Sequence, residues 1–295
     1  DRSKVMGALT GAMDVELLPQ IMAEFEARDE EIRKMQEAKG EEEKEKSGKR
    51  SVFMDVYAIS AKKHMDTYGT TQRQLAAIAS KNHFHSSMNP LAQYQMEITV
   101  DEVLAAPEVA WPLTRPMCSP IGDGAAAAIL CSEAYAKKIG AGKTVELAAS
   151  TLASGTDGED GGETTLARVS RKAYEKAGIG PEDLDVVEVH DATAMGELAA
   201  IEELNLCPVG EGGPFSEAGN TTLGGVVPVN VSGGLESQGH PIGATGIRQV
   251  VELYWHLTGQ TGDRQVEGAK VGLAQNSGGS VGGSEGAVSI AILKA

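Results

Sequence analysis

The second half of the chain alternates short apolar runs of strand length with amphipathic stretches of helical length, and this pattern constrains the fold most. Helix is expected over 164–177, strand over 184–190 ("LDVVEVH"), helix over 193–204 and strand over 226–232 ("VVPVNVS"). Helix over 244–258 and strands over 269–275 ("AKVGLAQ") and 286–293 ("GAVSIAIL") complete it. Strands that alternate with helices bury both faces of a sheet, so the expected class is α/β, a layered α/β/α domain. Alanine and glycine dominate while aromatic residues are only 4% of the chain, which suits close packing of helices on sheets.

The first half carries the same class less regularly. Helices are expected over 52–69 and from a Thr71 cap to Pro90, and "TVDEVLAAP" (99–107) opens with a Thr99–Glu102 capping box. "DGAAAAILCS" (123–132) has the pattern of a buried strand, and 132–140 that of a short helix stopped by Gly140. From Glu24 to Arg50 the chain holds ten acidic and eight basic residues, the composition of a solvated helix or an insertion. By composition the sharpest break is the loop "GTDGEDGGET" (155–164).

Several function classes are set aside by bulk properties. The net charge of −16 gives no basic footprint for nucleic acid or an anionic membrane. No apolar run approaches the roughly 20 residues that span a bilayer. Cys118, Cys131 and Cys207 are odd in number and lack C-x-x-C spacing, so neither a disulfide framework nor a zinc site is expected. That usage fits a reducing compartment, and with no secretory leader in view a cytoplasmic location is expected.

Four segments bring polar groups to strand ends, where open α/β sheets place their sites. They are "EVHDAT" with His190 and Asp191, "NVSGG" (230–234), "GHPIGATG" (239–246) and "AQNSGGSVGGSEG" (274–286). Backbone N–H groups in such turns can face a developing oxyanion, and an imidazole there can act as a general base. Taken singly, each has a plainer reading: His240 as a capping residue, His190 as packing, Asp191 as a helix cap. His83 and His85 lie two residues apart on a helix, pointing about 200° away from each other, which makes packing the better reading than metal ligation. No GK[ST] follows the glycines, so a nucleotide-phosphate loop is not expected.

In this order the four segments resemble the C-terminal half of the thiolase superfamily, with "GHPIGATG" the most specific motif. "KNHFHSSMNPLAQYQ" (81–95) and "CSPIGDGAAAAILCSE" (118–133) resemble its sterol-carrier-protein-x and lipid-transfer branch. The resemblance implies a thiolase-like layered fold: residues 1–143 as the remainder of an N-terminal domain with its helical loop region, and 144–295 as a complete C-terminal domain. It implies an acyl-CoA C-acyltransferase, cleaving a bulky β-ketoacyl-CoA with CoA or running the Claisen condensation in reverse. Coenzyme A would be a substrate, with no covalently bound cofactor and no metal. His240 would deprotonate a cysteine nucleophile, and His190 would help hold the enolate oxygen, with Asp191 and Asn276 beside them. Asn230, Ser232, Gly233, Gly239, Gly278 and Gly279 would contact substrate or CoA.

Two departures from the family pattern stand out. None of the three cysteines matches the nucleophile, which is expected from an N-terminal region outside these residues or from another chain. The second catalytic thiol is replaced by Asn276 (or Ser277) or by Ala192–Thr193, leaving His190, Asp191 or a water to move the α-proton. Two alternatives therefore accompany the main expectation: a non-catalytic acyl-CoA-binding subunit, and acyl transfer without thiolysis. An aldolase ranks below them, because that branch carries tyrosines where His190 and His240 stand. The expected assembly is a homodimer, with a zinc-ribbon/OB-fold companion protein among the partners.

Overall fold

A computed structural model describes residues 52–155, 162–281 and 284–295, with isolated positions between 16 and 34. The charged segment 24–50 therefore lies, apart from a few of those positions, outside the described residues. The first half holds α1 (Val52–Tyr68), α2 (Gln72–Ser87), α3 (Val100–Ala105), the short strands β1 (Glu108–Ala110) and β2 (Leu113–Thr114), and α4 (Glu133–Ile139). Then follow β3 (Glu146–Ser154), α5 (Thr165–Ala177), β4 (Val186–Glu188), α6 (Ala194–Glu203), α7 (Gly212–Glu217), α8 (Gly234–Gln238), α9 (Thr245–Leu257), β5 (Val271–Val281) and β6 (Ser284–Lys294).

The sheet order is β3-β6-β5-β4, antiparallel across the first two pairings and parallel between β5 and β4. Successive residues of each strand face opposite sides, and two cores result. Val187, Leu273 and Ile292 join Leu166, Val169 and Ala173 of α5 in one. Val186, Ala274 and Leu293 join Leu253 and Leu257 of α9 in the other. A third core lies under α2, where Leu75, Ile78 and Ala79 meet Met195 and Leu198 of α6. The chain is thus a mixed α/β structure with helices on both faces of the sheet.

Local signals set the element ends. Thr99 forms the expected capping box with Glu102, and the expected Thr71 cap is also a capping box, with Gln74. Gly140 and Gly178 stop α4 and α5 with φ of 64° and 65°, a left-handed turn that glycine adopts without strain.

Three expectations are corrected. Residues 226–232 make only an isolated bridge between Val187 and Val229. Pro228 offers no N–H to a ladder, and Asn230 at φ 54° breaks the pleat. The segment 123–132 is neither a paired strand nor buried: Ile129 is 95% exposed and Leu130 75%. No described strand pairs with it, so its apolar run has no sheet to be buried in. The glycine-rich run after Gln275 is a continuation of the β5–β6 hairpin, with Asn276 opposite Ser289 and Gly278 opposite Ala287.

Candidate active site

The site is assembled from the end of β4, the turn into α9 and the middle of β5. His190 follows β4, and its backbone N–H donates to Gln275 Oε1 of β5 at 2.9 Å. The polypeptide before α9 is fixed at its start by the His240 N–H, which donates to the Pro120 carbonyl at 3.2 Å. The two rings then meet edge to face, 5.1 Å between centroids at 80°. Fifty residues apart in sequence, they are neighbours because β4 and the α8–α9 turn end at the same edge.

Thr245 Oγ1 engages His240 Nδ1 at 2.9 Å and lies 3.2 Å from the Pro241 carbonyl, which also accepts from the N–H groups of Ala244 and Thr245 at 2.7 and 3.1 Å. With the hydroxyl proton given to Pro241, Thr245 accepts from Nδ1–H and Nε2 is the basic nitrogen. Burial pushes the His240 pKa down to about 4, with the Arg248 guanidinium adding to the shift. Arg248 Nη1 also donates to the Gly239 carbonyl at 2.6 Å and so braces the turn. His190 falls to about 3, through burial first and then the neighbouring His240. Both rings are neutral at pH 7, the state in which an imidazole accepts a proton or donates an N–H hydrogen bond.

Asp191 is placed differently from its neighbour. It is 0% exposed, and its carboxylate accepts from the N–H groups of Leu235 at 2.7 Å and Glu236 at 3.3 Å, closing the open first turn of α8. A side chain at Gly234 would meet that carboxylate at 2.1 Å. Asp191 does not cap α6; Thr193 does, accepting from Gly196 N–H at 3.3 Å. Asn82 ties the same carboxylate to Glu197 and Glu236, at 3.2, 2.9 and 3.4 Å. Lys81 pairs with Glu197 in this interior cluster. Burial, then the Glu197 charge, raises the Asp191 pKa; burial, then Asp191, raises that of Glu236.

Asn230, Ser232 and Gly233 also lie in the interior. Asn230 donates to Glu197 at 2.7 Å and accepts from the Val189 N–H at 2.8 Å. The Ser232 hydroxyl and N–H both donate to Glu188, at 2.6 and 3.0 Å. Gly233 runs against α2, where a Cβ would stand 2.4 Å from that of Ser86. Gly239, at φ 102°, lies against Gln93, and no neighbouring atom crowds Gly278. Asn276 lies beside the start of α9, with its amide donating to Gln249 at 3.0 Å.

Sequence reasoning missed Thr245, Arg248, Gln249 and Gln275. The first three share one face of α9 just after "GHPIGA", a spacing that could have drawn attention to them. None of the cysteines joins the histidine pair by hydrogen bond. Burial drives the Cys118 thiol far up, Glu236 adding to it, and Cys207 rises to about 12 for the same first reason in the core beside α6. Cys131 is exposed in the unpaired segment. Among the described residues no group of three or more His, Cys, Asp or Glu is placed to hold a metal, and no helix is long and apolar enough to cross a membrane.

Comparison with known proteins fits this arrangement. A family described as thiolase C-terminal domain-like matches residues 148–292. Sterol carrier protein 2 of Bos taurus is 44% identical over 236 residues, 77% of this chain and 44% of that protein. An acetyl-CoA acetyltransferase of Methanothermobacter thermautotrophicus is 44% identical over 235 residues, 78% of this chain and 61% of that protein. The chain belongs to the thiolase superfamily. It spans about half the length of these relatives. A solved structure titled Ltp2-ChsH2(DUF35) aldolase superposes with a TM-score of 0.67 at 20% identity, covering 82% of this chain and 63% of that one, which shows the shared fold.

Proposed function

We propose that this chain carries the histidine part of a thiolase-type acyl-CoA C-acyltransferase site, cleaving a bulky β-ketoacyl-CoA with CoA. The observation that supports it most is the His190–His240 pair, two neutral imidazoles in edge-to-face contact with Nδ1 of His240 engaged by Thr245 and its Nε2 left over. The acetyltransferase and sterol-carrier relatives support the reaction class and a bulky acyl group.

His240 takes the proton of a cysteine thiol supplied by polypeptide beyond these 295 residues, and the thiolate attacks the β-keto carbon. The Cα–Cβ bond breaks, its electron pair leaves as an acyl-CoA enolate, and donors at His190 and Asn276 hold the enolate oxygen. The enolate carbon receives the proton back from the histidine pair, since Asp191 is enclosed by α8 and no thiol stands at Asn276. CoA thiol then gives its proton to His240 and takes the acyl group, restoring the cysteine. CoA acts as substrate, with no covalently bound cofactor. The assembly is a homodimer with a companion protein of the kind named in the Ltp2-ChsH2(DUF35) structure.

The decisive assay incubates the complete protein or complex with a β-ketoacyl-CoA and CoA and follows thiolysis for wild type and His240→Ala. Loss of turnover in the variant is expected; equal rates would remove His240 as the base. The non-thiol Asn276 favours a second reading, acyl transfer without thiolysis: acyl groups would then reach an activated carbon acceptor while no CoA-dependent cleavage occurs. Acyl-CoA binding with neither reaction would make the chain a non-catalytic subunit.

A further inference from the structure

Two backbone groups with no choice of role orient the amides behind the histidine pair. The Gln275 carbonyl only accepts, so the end of Gln249 that meets it at 2.9 Å is Nε2. Gln249 Oε1 is then the acceptor toward Asn276, which presents Nδ2 to it at 3.0 Å. The His190 backbone N–H only donates, so Gln275 turns Oε1 to it at 2.9 Å and sends its Nε2 to Ser277 Oγ at 2.6 Å. Gln249 is 1% exposed and Gln275 2%, so flipping either amide would leave buried polar groups unpaired. The Asn276 amide also rests on the first turn of α9, where a Cβ at Gly246 would stand 3.7 Å from its Cγ. One helix thus holds His240 through Thr245 and Asn276 through Gln249, four residues further along the same face.

We propose that Gln249 is a positioning residue that locks Asn276 as a neutral hydrogen-bond donor to a substrate oxygen beside the His190–His240 pair. The inference rests on the acyltransferase reading and assigns the position of the second family thiol a new task. An amide does not take up a proton at neutral pH. One N–H of Asn276 is committed to Gln249, and the other is left for a thioester oxygen as negative charge grows on it. The position stabilises charge and moves no proton.

The test compares wild type, Gln249→Leu, Gln249→Glu, Asn276→Ala and the Gln249→Leu/Asn276→Ala double variant. Each is made in the complete protein or complex, with kcat and KM read separately. Asn276→Ala is expected to lower kcat on the order of 100-fold, the usual loss for one oxyanion donor. Gln249→Leu is expected to lower it about tenfold, as for one neutral hydrogen bond. The double variant should be no slower than Asn276→Ala, with KM little changed throughout. Gln249→Glu keeps an acceptor for Asn276 and should recover part of the rate. Losses that multiply in the double variant, or that appear only in KM, overturn the proposal.

A second readout does not need turnover: the side-chain amide NMR signals of Asn276, assigned by their absence in Asn276→Ala. They should move in Gln249→Leu and less in Gln249→Glu. Signals unmoved by Gln249→Leu overturn the positioning role. A wild-type protein without acyl transfer overturns the acyltransferase reading while leaving this readout intact.

Discussion

Two regions of the molecule each present a pair of histidines to the interior, and His85 of the first uses its ring nitrogens in the opposite way to the second pair. In α2, His85 donates from Nδ1 to the Asn230 carbonyl at 3.0 Å and accepts at Nε2 from the Leu223 N–H at 3.0 Å. Its partner His83 stacks on Tyr94 at 5.9 Å. At the strand ends, His240 has only Nδ1 engaged, and the buried Nδ1 of His190 has no hydrogen bond from another residue. Burial lowers the pKa of His85 to about 3, much as it does at His190 and His240. A depressed pKa therefore does not separate a working imidazole from a structural one. What separates His85 from His190 and His240 is whether a ring nitrogen is left over; His83 keeps both nitrogens without a hydrogen bond but lies against Tyr94, away from the strand-end pair.

The largest expected contrast is catalytic. His240→Ala should lower kcat by roughly 100-fold or more, the usual worth of a general base. His85→Ala should leave kcat per folded molecule within about twofold, while stranding the Leu223 N–H at about 1–3 kcal/mol; the Asn230 carbonyl keeps the Gly233 N–H at 2.9 Å. Urea denaturation of both variants beside the thiolysis assay checks this. A comparable kcat loss in His85→Ala would erase the distinction between the two pairs.

A contrast in stability follows. His85, His190 and His240 are neutral in the fold down to about 3, 3 and 4, against about 6.5 unfolded, so unfolding takes up protons below that value. Their contribution is present above pH 6.5 and is lost as pH falls toward 4, at up to about 1.4 kcal/mol per pH unit for each ring. Asp191 and Glu236, with raised pKa values, act with the opposite sign and lose their contribution as pH rises. Denaturation midpoints at pH 7, 6 and 5 should fall less steeply in His85→Leu than in wild type. An unchanged slope would mean that His85 is protonated in the fold.

The smallest effect sharpens the assignment at His240. Thr245→Val removes the acceptor that fixes the Nδ1–H tautomer, at about 1 kcal/mol, or roughly fivefold in kcat. Thiolysis kinetics and the 15N chemical shifts of the His240 ring read it together. A rate loss without a change of tautomer would assign Thr245 to the turn instead.

Much of the fold was legible in the sequence because its signals are local. The Thr71 and Thr99 capping boxes, the Gly140 and Gly178 stops and the helix 164–177 each depend on residues within a few positions. The strand expected at 123–132 failed because a continuous apolar run makes a buried strand only where neighbouring strands are present to pair with it. Pro228 and Asn230 could have warned against the strand at 226–232. The motif order brought His190 and His240 to notice, yet Asp191, adjacent to His190, was drawn into the interior by α8, more than forty residues away.

The sequence by itself determined the element spacing, the caps and stops, and the order of motifs that marks the thiolase superfamily, since periodicity and short-range hydrogen bonds are written in neighbouring residues. The tertiary structure decided which of the similar side chains still has an atom to offer. His85 loses both nitrogens to partners 138 and 145 residues away, while His240 keeps Nε2 because its one partner is Thr245, five residues on. Partner assignment across such separations depends on how helices and strands pack, which local pattern does not encode.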